Sequence, residues 1–93
     1  MAQPERTPDL DEDALVAAIA GRVPGQPDPT RVRSLLGAWW RYAGIRAAAG
    51  HVVDSDRFIA ERSALGLLEL QPATARAVID LEFALLHDPA ARD

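Results

Sequence analysis

Ninety-three residues with a formal net charge of −4 make one domain with a modest core. Cysteine is absent, which excludes disulfides, thiolate metal sites and cysteine nucleophiles. All ten basic side chains are arginine, so Schiff-base chemistry, a phosphate-loop lysine and a low-pKa amine catalyst are excluded as well.

The opening "MAQPERTPDLDED" is acidic and has no apolar run, unlike a secretory signal or transit peptide. No segment approaches the roughly 18 consecutive apolar residues of a membrane span, so a cytoplasmic protein with no membrane partner is expected. Charge is unevenly placed. Residues 1–28 hold two Arg against six acids, 31–46 four Arg and no acid, and 54–93 four Arg against eight acids. Either acidic arms fold over a basic centre, or that centre is a face for nucleic acid.

The pattern predicts an all-α fold, a four-helix, bundle-like single domain with a long central second helix. Residues 1–7 are expected as a flexible acidic segment, 8–87 as the helical domain and 88–93 as a frayed tail. The first helix is predicted over 8–21, with Thr7 as N-cap, Pro8 at its first position and acids complementing the helix dipole. Leu15, Val16 and Ile19 are its apolar side. After the stiff turn "PGQPDPT", Asp28 caps and Pro29 starts a second helix that runs to Ala49 and stops at Gly50, about 31 Å long. Asp54 or Ser55 caps a third helix bearing Phe58, Ile59 and Leu65, which weakens at Gly66. "LLELQ" is an irregular joint, and the fourth helix runs from Pro72 to about His87. No alternating strand pattern occurs.

Trp39 and Trp40 are adjacent, and on a helix they point about 100° apart, so they cannot fill one pocket. Val32, Leu35, Leu36, Trp39 and Ala43 form the expected core stripe. Trp40 falls on a second face with Gly37, Gly44, Ala47 and Ala48, a bulky ring beside small residues that let another backbone approach. These five residues are the expected partner interface, for a second copy of the chain or another protein. Burying each indole is worth roughly 4 to 6 kcal/mol.

The fourth helix shows two apolar sides: Thr74, Ala77, Val78, Leu81 and Leu85 on one, and Ala75, Ile79, Phe83 and Leu86 on the other. Glu82 lies between them. Because Arg46 falls in the core stripe of the second helix, Arg46 and Glu82 are expected to pair in or beside the core.

Catalytic constellations are absent. His51 and His87 lack metal-ligand partners at helical spacing, no serine lies in a nucleophile elbow, and the glycines are dispersed. No catalytic residue, cofactor, metal or small-molecule substrate is expected. "VVDSDRF" resembles the Asp-Ser-Leu attachment site of acyl carrier proteins in placing Ser55 after Asp54, but Asp56 stands where that family has leucine, so both residues are taken as capping. "FIAERSALGLLELQPATARAVIDLE", Phe58 to Glu82, resembles helix-turn-helix DNA binders, although with a longer joint. That resemblance implies a reading face of Gln71, Thr74 and Arg76, with Asp80 opposing phosphate contact. A non-enzymatic protein-interaction module, self-associating through the second helix, is the primary expectation. A DNA-binding regulator is the alternative.

Overall fold

The computed structural model describes residues 11–87. Four α-helices occur in them, α1 (Glu12–Arg22), α2 (Pro29–Ala48), α3 (Ser55–Ala64) and α4 (Pro72–His87), and the described residues contain no strand. Three helices start on an aspartate whose carboxylate accepts a first-turn backbone N–H. Asp11 takes that of Ala14 at 2.7 Å, Asp28 that of Thr30 at 2.9 Å and Asp54 that of Asp56 at 2.9 Å. Pro29 and Pro72 begin α2 and α4, where a missing N–H costs nothing.

The start of α1 corrects the expectation of a helix from residue 8. Asp11, not Thr7, is the cap, and Glu12 and Asp13 fill the first turn. Aspartate is at least as strong a cap as threonine, and Asp11 lies nearer the apolar stripe it precedes. Thr7, Pro8 and the segments 1–7 and 88–93 lie outside the described residues.

Helices α2 and α3 end the same way. Gly50 N–H bonds Ala47 C=O and His51 N–H bonds Arg46 C=O. Likewise Gly66 N–H bonds Ser63 C=O and Leu67 N–H bonds Arg62 C=O. Both glycines have positive φ, 78° and 72°, which the left-handed residue of this C-terminal motif requires.

Helices α2 and α4 each pack against all three other helices and are the central pair. The core takes Leu15, Val16, Ile19, Ala20 and Val23 from the α1 side; Val32, Leu35, Leu36 and Ala38 from α2; Phe58 and Ile59 from α3; and Ala75, Val78, Ile79 and Leu85 from α4. Leu65, expected on the third helix, is instead its C-cap, and it is 71% exposed. Ala38, outside the predicted stripe, is buried. One turn before it, Ser34 Oγ donates to Glu69 Oε2 at 3.0 Å, tying the joint between α3 and α4 to that side of α2. Arg62 Nη2 bonds both Glu69 Oε2 at 3.0 Å and Leu67 C=O at 2.9 Å, so the irregular joint is pinned at several points.

The uneven charge is resolved in part by α1 folding on α2. Arg33 pairs with Glu12 at 2.7 Å and with Asp13. The hydrogen bond to Asp13 is the main cause that raises the Arg33 guanidinium above its ordinary value, with Glu12 adding to it.

Leu35→Ala, at a position with no exposure, is expected to cost about 2–5 kcal/mol in urea unfolding, against about 0.5 kcal/mol or less for Leu65→Ala. Equal losses at the two positions would contradict this core.

Candidate interaction groove

The adjacent tryptophans divide their work differently from the expectation. Both are half-buried against the core. Trp39 enters an aromatic cluster between α2 and α3, with ring centroids 5.9 Å from Tyr42, stacked, and 5.3 Å from Phe58, edge-on. Tyr42 and Phe58 lie 5.1 Å apart. Trp40 turns toward α4, where its indole N–H donates to Glu82 Oε2 at 2.8 Å.

Glu82 is only 6% exposed, the one buried charged residue among those described. Its partner corrects the expected Arg46–Glu82 pair. Arg46 Nε donates instead to Val52 C=O at 2.7 Å, and its guanidinium lies over the Tyr42 ring, 5.6 Å from the centroid. The physical reason is the turn at Gly50. It brings the loop carbonyl to within reach of Arg46, whereas Trp40 already occupies the approach to Glu82. No arginine of the described residues is within ion-pair distance of Glu82.

Where α2, the start of α3 and the second half of α4 meet, an open groove of ≈ 570 Å³ remains. Trp39, Val53, Ile79 and Phe83 give it apolar walls, and Asp80 and Glu82 give it acidic ones. Phe83 is 63% exposed, with the His87 ring 4.3 Å away. Val52, Ile45 and Leu86 are also exposed large apolar residues of α2, the following loop and α4. One of the two apolar sides of α4 is thus only partly used: Ala75 and Ile79 are buried, Phe83 and Leu86 are not.

The five residues expected as an interface lie on α2 with unequal exposure. Gly37 is half-buried beside Arg41, Trp40 is tied to Glu82, and Gly44, Ala47 and Ala48 are exposed. A Cβ added at Gly44 would meet nothing within 4 Å. The residues expected to read DNA likewise differ in their surroundings. Gln71 is exposed ahead of α4, Thr74 is half-buried, and Arg76 is held by Asp56 and, at 3.5 Å, by Asp80. Arg57 is similarly engaged by Glu61 at 2.9 Å, which raises its guanidinium above the ordinary value.

Val53 carries no signal in the sequence, and Phe83 and Asp80 stand out there only as part of an apolar side of α4 and as an acid beside the DNA-reading face, not as site residues. The signal was present in the second apolar side of α4, which exceeds what one neighbouring helix covers. Among the described residues, no group of three or more His, Cys, Asp or Glu side chains could hold a metal ion, and no helix is long and apolar enough to cross a membrane.

Trp40→Phe removes the donor and leaves the Glu82 carboxylate buried without it, with an expected loss of about 1–3 kcal/mol. Arg46→Met, which keeps the aliphatic stem, is expected to cost about 1 kcal/mol or less. A double-mutant cycle by chemical denaturation checks this: coupling belongs to the Trp40–Glu82 pair, and equal coupling of Glu82 to Arg46 would refute the assignment. Comparison with known proteins supplies no relative: no family model matches the chain, and neither a curated protein nor a solved structure matches it.

Proposed function

We propose that this protein is a non-catalytic helical interaction module that docks another protein in the groove between α2 and α4. The observation that carries this reading is Phe83, a large aromatic ring left mostly exposed beside the half-buried Trp39 at the rim of a concavity. Exposed aromatic and aliphatic groups around a concavity are the usual anchor sites of protein contacts. The absence of cysteine and lysine, and of a serine in a nucleophile elbow, supports a non-catalytic role. DNA binding is less favoured, because Arg76, which it needs for phosphate or base contact, is engaged by two carboxylates.

The test is a photo-crosslinking residue, p-benzoylphenylalanine, placed at Phe83 and, as a control, at the exposed Leu65. A discrete protein adduct from position 83 and none from position 65 is expected in cells that make the protein. Adducts from neither, or nucleic acid captured in place of protein, would overturn the proposal.

Self-association through Gly44, Ala47 and Ala48 is separated from it by light scattering over a range of concentrations. A dimer that survives Phe83→Asp but is lost in Gly44→Leu would place the interface on the small-residue strip instead. Gly44→Ala by itself is expected to raise stability by about 0.5–1 kcal/mol, since the position is helical and open.

A further inference from the structure

The groove has an electrostatic character that its apolar walls do not require. Two carboxylates, Asp80 and Glu82, line it, and no basic residue does. Glu82 is the more consequential. A buried carboxylate is expensive unless it is paired with a cation or accepts several hydrogen bonds, and the donor found here is a single neutral indole N–H. The arginine that the sequence offers for it, Arg46, is committed to the Val52 carbonyl and the Tyr42 ring.

Asp80, two residues before Glu82 on α4, lines the more exposed edge of the groove, with most of its side chain exposed and Arg76 as its neighbour at 3.5 Å. A carboxylate accepts several hydrogen bonds, so this contact leaves capacity for a second cation. Trp39 and Phe83 present aromatic surface beside both acids. Aromatic faces attract cations as well as apolar groups, and a guanidinium can stack on a ring while bonding a carboxylate edge-on.

We propose that the groove binds an amphipathic basic helix of a partner protein, which seats one bulky apolar side chain between Trp39 and Phe83 and sets an arginine or lysine one turn away against Glu82, with Asp80 adding negative charge at the groove's exposed edge. This rests on the groove being the docking site and adds the chemistry of its occupant. A helix laid in a groove presents its anchors at i, i+3 and i+4, which brings one apolar and one basic residue to the same face. The partner cation supplies the counter-charge missing around Glu82, and charge-assisted hydrogen bonds of this kind are stronger than neutral ones. An acidic or uncharged helix would fill the apolar walls but leave Glu82 worse off, because docking would remove its remaining water.

The test uses three synthetic helical peptides of about 14 residues: one with a Leu face flanked by Arg, the same peptide with Glu for every Arg, and the Arg peptide with Ala for every Leu. Each is titrated into the full-length protein while the indole N–H resonances of Trp39 and Trp40 are followed by NMR. The Leu/Arg peptide is expected to give saturable shifts and to bind at least about tenfold more tightly than either control, with affinity falling as salt is added. Phe83→Ala and Asp80→Asn, both at exposed positions, should each weaken it by about threefold or more, with melting temperature unchanged. Glu82→Gln keeps an acceptor for Trp40 and should lose the preference for Arg over Glu.

Equal binding of the Leu/Arg and Leu/Glu peptides, or indifference to Phe83→Ala, overturns the proposal. Failure of all three peptides, together with a crosslinked adduct at position 83, overturns the basic-helix occupant and leaves the docking groove standing. If that adduct has twice the chain's mass, the occupant is a second copy. Failure of the peptides with no adduct removes both.

Discussion

A helix of twenty residues cannot be covered along its length by helices of eleven and ten. At 1.5 Å per residue α2 is about 30 Å long, against about 16 Å for α1. Its N-terminal half is enclosed, and Val32, Leu35, Leu36 and Ala38 are all buried there. Its C-terminal half has only α4, the start of α3 and the intervening loop for company. Residues that are apolar on that half, Trp39, Trp40 and Ile45, therefore range from half-buried to exposed. The groove is the geometric remainder of this mismatch, since α4 continues beside α2 without a fourth element to close the gap.

Within that remainder the chain spends its polar groups sparingly. The Trp40–Glu82 bond crosses from α2 to α4 where both would otherwise present apolar surface. It is a directional link between the two helices, in a way that burial is not. The same bond decides which tryptophan is available. With its N–H held by Glu82, Trp40 spans the seam, and Trp39 is left to link the aromatic cluster to the groove. Elsewhere several arginines are held by carboxylates: Arg33 with Glu12, Arg62 with Glu69, Arg57 with Glu61 and Arg76 with Asp56. Of the basic centre visible in the sequence, Arg33 is taken by acids of α1 and Arg46 by a loop carbonyl, and of the groove's two carboxylates Asp80 has Arg76 beside it while Glu82 has no arginine among the described residues.

Local signals were legible in the sequence wherever one residue acts on its own backbone. The Asp28 cap with Pro29, the stops at Gly50 and Gly66, and Pro72 at the head of α4 mark helix ends close to those observed. The apolar stripe of α1 was equally plain, because Leu15, Val16 and Ile19 leave no second face to choose between. At the first helix the sequence points to Thr7 as the cap, whereas the helix that bears the stripe is capped by Asp11.

What the sequence by itself determined is the number of helices, their order, most of their limits and the majority of the core, all set by periodicity and by capping chemistry acting over a few residues. Only the tertiary structure decided the partners of Glu82 and Arg46, the roles of Trp39 and Trp40, and the meeting of Val53 with Phe83 in one groove. A helical wheel gives the direction of a side chain about its own axis. It carries no information on the length of the neighbour, where that neighbour ends, or which nearby carbonyl a loop will bring within reach of an arginine.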